Sequence, residues 1–308
     1  MAIGIDLGGT NCRGALVSSA GQVQAWRQME TGAAYGLNNL LDRLAEFCRE
    51  LQAAAAALGS SPVGIGCGVA GIVGSQGVVL SAPNLQFLNE FALQDYLSCR
   101  LGLPALVVND ANAIAWGEAQ FGGGLDFESF LTITLGTGVG GGLVLKRRLW
   151  QGSCGGGGEI GHLAVEAEGR PCGCGSHGCL EQYASGQGIQ QNFSETGDSK
   201  GMATIDSIEI ARLARLGDNA AREAFNRAGR YLGQAVAGVA NLLNLEGVLF
   251  AGGLSSCFDL FQPALREELV QRAFAVNSRQ LQLVTARLGE QAGIVGAARL
   301  LFDLLEDP

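Results

Sequence analysis

An internal repeat limits the folds that are open to this chain. A strand–glycine turn–strand segment that begins at Ala2 recurs near Phe130, at an offset of 128 residues. A repeat of this kind predicts two similar lobes, and two such lobes that face each other form a cleft lined by their glycine turns. The matched positions are Ile5, Leu7, Gly8 and Gly14 with Ile133, Leu135, Gly136 and Gly142.

Short apolar runs alternate with helical patterns along the chain. Residues 2–7, 63–69 and 103–108 are typical of buried strands, whereas residues 37–58 carry apolar side chains at helical spacing. Strands that alternate with helices predict an α/β fold with mixed sheets.

The length of 308 residues is more than one hydrophobic core usually organises, so two lobes are expected. We predict a small N-terminal α/β lobe of residues 1–112. A C-terminal helix of residues 292–308 packs back on this lobe. A large C-terminal α/β lobe of residues 113–291 carries a cysteine-rich loop.

The charge balance excludes one class of partner. The formal net charge is −9 and the sequence pI is about 4.8, so no basic surface is available for a nucleic-acid backbone. The N-terminus has no basic region followed by a long apolar run, and no apolar stretch approaches the length of a membrane span. These features predict a cytoplasmic protein that binds neither nucleic acid nor membrane.

Two glycine-rich turns are candidates for phosphate binding. The first turn holds Gly8 and Gly9 between two predicted strands, and free N–H groups in such a turn can cradle a phosphate. Asp6, just before it, can orient a hydrated Mg²⁺. The alternative is an ordinary Asp-Gly hairpin. The second turn, which includes Thr137 and Gly138, occupies the equivalent place in the repeat and favours phosphate.

A polar pair, Asn109 and Asp110, lies where a buried strand meets a helix. Open α/β sheets place their ligands at such positions. A carboxylate here can accept the proton of a substrate hydroxyl that attacks a γ-phosphoryl group. The alternative is that either residue simply caps the helix.

The most specific cluster is the cysteine-rich loop. Cys172, Cys174 and Cys179 with one histidine would form a closed, structural tetrahedral Zn²⁺ site. The chain has two histidines, His162 and His177, and adjacency alone favours His177. Glu159 and Glu181 flank this loop as candidates to hydrogen-bond sugar hydroxyls, the alternative being solvated surface carboxylates.

Taken together, these motifs resemble those of the ROK family of sugar kinases, and of its bacterial glucokinases in particular. The resemblance extends over nearly the whole chain. It rests on Asp6-Leu7-Gly8-Gly9-Thr10, Ala82-Pro83-Asn84-Leu85, Asn109-Asp110-Ala111-Asn112, Leu135-Gly136-Thr137-Gly138-Val139-Gly140, Gly158-Glu159-Ile160-Gly161-His162, the loop from Cys172 to Glu181, and Phe250-Ala251-Gly252-Gly253-Leu254.

The resemblance implies a fold, cofactors and a role for each motif. The fold is that of the actin-like ATPases (ribonuclease H-like), with two lobes and mixed sheets around a central cleft. Asp110 becomes the general base, and His162 rather than His177 becomes the zinc ligand beside Cys172, Cys174 and Cys179. The implied ATP-binding residues are Asp6, Gly8, Gly9, Thr10, Asn11, Thr137, Gly138, Gly252 and Gly253, and the implied sugar-binding residues are Asn84, Asn109, Asp110, Glu159, His162 and Glu181.

The expected activity is therefore transfer of the γ-phosphoryl group of ATP to the 6-hydroxyl of glucose, with Mg²⁺ neutralising phosphate charge. Another hexose or an N-acetylhexosamine, such as N-acetylglucosamine, N-acetylmannosamine or allose, is the nearest alternative acceptor. A non-catalytic sugar-sensing regulator is a further alternative, but such regulators carry an added N-terminal DNA-binding domain and this chain begins its first strand at Ala2. The resemblance also implies a homodimer.

Overall fold

The computed structural model describes residues 1–196 and 205–306. Its framework consists of two five-stranded sheets and a small three-stranded sheet of β5, β6 and β7. The strands are β1 (Ala2–Leu7), β2 (Asn11–Val17), β3 (Val23–Glu30), β4 (Ile65–Val69), β5 (Ile72–Val73), β6 (Val78–Ser81), β7 (Phe91–Ala92), β8 (Ala105–Asn109), β9 (Phe130–Leu135), β10 (Val139–Leu145), β11 (Arg148–Trp150), β12 (Gly247–Ala251) and β13 (Gln282–Thr285).

The two large sheets have the same topology. The first has the order β3-β2-β1-β4-β8 and the second the order β11-β10-β9-β12-β13. In each sheet the first strand of the meander pairs in parallel with a later strand, β1 with β4 and β9 with β12. The bounds of β9 and β10 equal those of β1 and β2 shifted by 128 residues. The internal repeat read from the sequence is therefore a repeat of structure.

Helices follow the strands as the sequence predicts. The helix expected over residues 37–58 is α1, and the expected C-terminal helix is α10, except that residues 307 and 308 lie outside the described part of the chain. The helices are α1 (Gly36–Ala57), α2 (Leu93–Leu101), α3 (Asp110–Phe121), α4 (Glu181–Ala184), α5 (Gly186–Glu195), α6 (Ser207–Arg215), α7 (Asn219–Leu243), α8 (Phe258–Arg272), α9 (Ala275–Gln280) and α10 (Ala292–Glu306). The expected α/β fold of the actin-like ATPases, with mixed sheets, is confirmed.

The chain forms two compact units. The first unit comprises residues 1–126, 142–158 and 287–308, and the second comprises residues 127–141 and 159–286. The lobes expected from the sequence instead change at residues 112 and 291, and that division stays a prediction.

In the first unit, α10 packs directly on the sheet. A Cβ atom on Gly4 of β1 would lie 2.2 Å from the carbonyl oxygen of Ile294, and one on Gly66 of β4 would lie 2.0 Å from that of Ala297. Glycine is therefore required where the helix backbone meets the strands. On the opposite face, α1 contributes buried apolar side chains, including Leu44 and Leu51, to the core.

In the core of the second unit, β12 packs against α8, and α8 packs against α7. Phe250 of β12 packs against Phe258 and Phe261, with ring centroids 5.2 and 5.5 Å apart. Phe250 and Phe261 are fully buried. Within the described residues, no helix combines the length and the apolar character needed to cross a membrane.

Candidate active site and metal centre

Three parallel strands of the first unit end at one edge of its sheet. Leu7 of β1 pairs with Val69 of β4, and Val69 pairs with Asn109 of β8. Because parallel strands present their carboxyl ends at the same edge, Asp6 and Asp110 lie close together there. This closeness has an electrostatic consequence, since the charge of Asp110 raises the pKa of Asp6.

The sequence allows either Asn109 or Asp110 to cap the helix, and the structure shows that Asn109 does so. The side-chain oxygen of Asn109 accepts a hydrogen bond from the N–H of Asn112 at 2.9 Å, so Asn109 caps α3. The Nδ2 of Asn109 also donates to the carbonyl oxygen of Gly71 at 2.9 Å. The capping alternative is thus correct for Asn109, whereas Asp110 is the first residue of the helix itself.

The carboxylate of Asp110 is held by two hydrogen bonds. It accepts hydrogen bonds from the N–H of Ala111 at 2.9 Å and from Nδ2 of Asn109 at 3.3 Å. Burial raises its pKa, and the backbone hydrogen bonds only partly oppose this. A carboxylate whose pKa is raised towards neutrality holds a transferred proton better than an exposed one.

Asp6 is the second carboxylate of this edge. Burial raises its pKa from 3.8 to about 7, with further contributions from the charges of Asp110 and Glu290 and an opposing one from Arg13. Both carboxylates have raised pKa values, and a nearby divalent cation would stabilise their charged forms. Carboxylate oxygens are also the kind of ligand that Mg²⁺ prefers.

The first glycine turn, residues 8–11, follows β1. The N–H of Gly8 donates to the carbonyl oxygen of Asn11 at 3.0 Å, and the hydroxyl of Thr31 donates to the carbonyl oxygen of Gly8 at 2.7 Å. A Cβ atom on Gly9 would lie 2.8 Å from the Cβ of Asn84. Gly9 therefore brings Asn84, a predicted sugar ligand, against the predicted nucleotide turn.

The second glycine turn, residues 136–139, joins β9 to β10 in the second unit. The N–H of Gly136 donates to the carbonyl oxygen of Gly138 at 3.0 Å, which closes the turn tightly. β12 pairs in parallel beside β9, so Gly252 and Gly253 follow at the same edge of the sheet. Gly252 has a φ of 82°, and a Cβ atom on it would lie 2.4 Å from the carbonyl oxygen of Leu135. The structure thus places Gly252 against Leu135, the last residue of β9, which directly precedes the turn that holds Thr137 and Gly138.

A Cys₃His cluster is present in the second unit. The ligand atoms of His162, Cys172, Cys174 and Cys179 all lie within 4.8 Å of one another. The Nδ1 of His162 is 3.7 Å from the Sγ of Cys172, and the Sγ atoms of Cys174 and Cys179 are 3.6 Å apart. Tetrahedral Zn²⁺ with bonds of about 2.0 to 2.3 Å places its ligand atoms about 3.5 to 3.8 Å apart. The residues present fit zinc.

His177 is not part of this cluster. Its backbone forms a bridge with Pro171, and the residue is exposed. Adjacency in the sequence therefore points to the wrong histidine, because the loop folds back on itself between Pro171 and His177. The ligand implied by the family resemblance, His162, is the one that joins the cysteines.

The two glutamates that flank the metal loop occupy different surroundings. Glu159 precedes a single 3₁₀ turn that ends at His162, and its carbonyl oxygen accepts the N–H of His162 at 3.1 Å. Glu181 begins α4, and its Oε2 accepts a hydrogen bond from the N–H of Val139 at 3.0 Å. The interpretation of Glu181 as a solvated surface carboxylate is therefore wrong.

Sequence reasoning missed Arg13 and Glu290. Arg13 of β2 lies directly opposite Asp6 in the antiparallel register, and its guanidinium is 3.3 Å from Glu290. Paired residues in an antiparallel ladder point to the same face, so the hairpin pattern would have placed Arg13 beside Asp6. No pattern in the sequence around Glu290 indicates this contact, because Glu290 is 277 positions further along the chain than Arg13.

Comparison with known proteins places these features in a family. The sequence matches the ROK family over residues 2–303. It is 34% identical over 323 residues to a glucokinase of Streptomyces coelicolor, covering 100% of this chain and 98% of the relative. It is 33% identical to a glucokinase of Thermotoga maritima, with 97% and 96% covered.

Other ROK relatives carry different descriptions. An N-acetylmannosamine kinase of Escherichia coli is 32% identical, with 97% of each protein covered. A solved ROK glucokinase of Streptomyces griseus, in complex with glucose and AMPPNP, matches with a TM-score of 0.81 and 33% identity over 97% of this chain and 98% of that one. A ROK transcriptional regulator of known structure matches with a TM-score of 0.88 at 29% identity, covering 99% of this chain and 81% of the regulator.

Proposed function

This chain belongs to the ROK family, and we propose that it is an ATP-dependent sugar kinase that converts glucose to glucose 6-phosphate. The observation that carries the proposal is the half-buried carboxylate of Asp110 at the sheet edge, beside Asp6 and the first glycine turn. The similarity to glucokinases over the full length supports glucose as the acceptor.

In the proposed reaction, Asp110 accepts the proton of the sugar 6-hydroxyl. The freed oxygen forms a bond to the γ-phosphorus of ATP, while the bond from that phosphorus to the β,γ-bridging oxygen breaks and ADP leaves. Burial of Asp110 raises its pKa, which strengthens it as a base. Asn109 fixes Asp110 at the start of α3, because it caps the helix and contacts the carboxylate.

The nucleotide is held by glycine turns in this proposal. Phosphate oxygens would contact backbone N–H groups of the first turn, at Gly9, Thr10 and Asn11, and of the second turn, at Thr137 and Gly138. Gly8 would shape the first turn, because its own N–H donates to the carbonyl oxygen of Asn11. Gly252 and Gly253 would approach the adenosine. Mg²⁺, arriving with ATP, would neutralise phosphate charge, and Asp6 would orient its water shell.

The sugar ligands in this proposal are Asn84, Asn109, Glu159, His162 and Glu181, together with Asp110. Zn²⁺, when bound, would lock the fold of the loop that carries His162 and Glu181 without taking part in the reaction. Because the Nδ1 of His162 faces Cys172, the other ring nitrogen is the one available to a sugar hydroxyl. With Nδ1 turned to the metal cluster, the ring proton belongs on the other nitrogen, Nε2.

The test is an ADP-release assay with Mg-ATP and purified, zinc-loaded protein. The acceptors are glucose, mannose, fructose, allose, N-acetylglucosamine and N-acetylmannosamine. We expect the highest kcat/KM with glucose. Preference for N-acetylmannosamine would keep the mechanism and reassign the acceptor, an outcome that the 32% identity to an N-acetylmannosamine kinase makes worth testing.

Lack of turnover with every sugar would contradict the enzyme proposal and favour a sugar-sensing regulator, to which the structure is also similar. Binding of sugar measured calorimetrically in the same preparation would separate a sensor from an inactive protein. We also propose a homodimer that acts in the cytoplasm, and sedimentation of the pure protein tests the assembly.

A further inference from the structure

The carboxylate of Glu181, which we propose as a sugar ligand, also contacts the second glycine turn. The Oε2 of Glu181 accepts the hydrogen bond of the Val139 N–H at 3.0 Å, and a Cβ atom on Gly138 would lie 2.4 Å from the same oxygen. The contact joins residues that are 42 positions apart in the sequence. The carboxylate therefore lies directly against the second glycine turn.

A second contact comes from the same segment. The N–H of Gly186, the first residue of α5, donates to the carbonyl oxygen of Gly136 at 2.8 Å. Glu181 and Gly186 thus hold both ends of the turn, one at Val139 and the other at Gly136. A turn rich in glycine has high conformational freedom, so its shape depends on such outside contacts.

The supporting segment is itself fixed at the metal loop. The carbonyl oxygen of Cys179 accepts the N–H of Gln182 at 3.0 Å, and the N–H of Leu180 donates to the carbonyl oxygen of Leu163 at 2.9 Å. Cys179 and Leu180 are fully buried. Backbone hydrogen bonds therefore hold the segment that carries Glu181 against the metal loop.

We infer that Glu181 is a positioning residue for the nucleotide turn, through its hydrogen bond to Val139, in addition to its proposed contact with sugar. The inference rests on the proposed function, since it requires that the turn binds nucleotide. One side chain of the second unit then serves both as a proposed sugar ligand and as a support of the second glycine turn.

The test separates the two roles of Glu181 by comparing two substitutions. Glu181→Gln keeps an oxygen that can accept the Val139 N–H, whereas Glu181→Ala removes it. Both variants lose the negative charge available to sugar. Affinity for Mg-AMPPNP and for glucose is measured separately by titration calorimetry, so that no turnover is required.

We expect Glu181→Ala to weaken AMPPNP binding about tenfold, the usual effect of losing one hydrogen bond to a charged group. Glu181→Gln restores AMPPNP affinity to within about twofold of the parent while leaving glucose binding weakened. Glu168→Ala, which removes an exposed carboxylate from the same loop, is the matched control and leaves both affinities unchanged. Zinc content and Tm are measured for each variant, so that unfolding is recognised.

A reciprocal substitution approaches the contact from the turn. In Gly138→Ala the new methyl group displaces the Glu181 carboxylate, and we expect weaker glucose binding in the absence of any nucleotide. A Glu181→Ala variant that is folded and binds AMPPNP like the parent overturns the inference and leaves the kinase proposal intact. A parent protein that binds neither AMPPNP nor glucose overturns the proposed function first.

Discussion

Replacing Asp110 with asparagine tests the proposed base with little change in structure. The two side chains have nearly the same shape, and an asparagine oxygen can still accept the N–H of Ala111 that Asp110 accepts at 2.9 Å. The cap of α3 is unaffected because Asn109 provides it. The substitution therefore removes the proton acceptor and leaves its position occupied.

The expected loss follows from the role of the carboxylate. A positioned general base contributes about 10² to 10⁴ in rate, which corresponds to about 3 to 5 kcal/mol of activation free energy. Burial and the backbone hydrogen bonds act on the pKa of Asp110 in opposite directions, with burial the larger. Removing a charge that is costly to bury does not lower the free energy of unfolding at pH 7.

The assay combines turnover with binding. We expect kcat for glucose phosphorylation to fall about 10² to 10⁴-fold, while the Kd for glucose measured by calorimetry changes by less than about fivefold. Asp95→Asn is the matched control, since Asp95 is an exposed aspartate in the first turn of another helix of the same unit. It should leave kcat unchanged.

One result would refute the reasoning. If the Asp110→Asn variant binds glucose and keeps more than about a tenth of the parental kcat, Asp110 is not the base. A loss of both glucose binding and folded structure, with a lowered Tm, would instead show that the carboxylate stabilises the first unit.

Three further perturbations test other parts of the structure. Cys172→Ser removes one thiolate of the Cys₃His cluster, so we expect elemental analysis to find one zinc per chain in the parent and none in the purified variant. A parent without zinc would contradict the metal assignment. Asp6→Asn removes a carboxylate whose pKa is raised from 3.8 to about 7 in the folded protein, so the parent loses stability as pH rises through this range and the variant does not. The variant should therefore gain at most about 4 kcal/mol over the parent between about pH 4 and pH 7, and an equal Tm difference at pH 4 and pH 8 would contradict this. Gly252→Ala places a methyl group 2.4 Å from the Leu135 carbonyl oxygen at a φ of 82°, and we expect a loss of about 2 kcal/mol or more in denaturant unfolding, whereas an unchanged midpoint would show that the turn can shift.

The sequence predicts the framework well because local chemistry sets it. The repeat at 128 residues fixes β1, β2, β9 and β10, since apolar strands and glycine turns recur together. The sequence also locates Asp110 at a strand end. It does not show which histidine joins the cysteines, because the answer depends on how the loop turns back between Pro171 and His177. Nor does it show the contact of Glu181 with Val139, which arises only when α4 packs beside the β9–β10 hairpin.

The two glycine turns have equivalent positions in the repeat but different supports. In the first unit, Thr31 fixes the turn through Gly8 and Thr10, from the end of the same meander. In the second unit, the support comes from Glu181 and Gly186, beyond the metal loop. Loss of metal should therefore loosen the second turn and leave the first in place, because only the second depends on a segment that the Cys₃His cluster holds. The duplicated fold thus connects the metal centre to one half of the proposed nucleotide site.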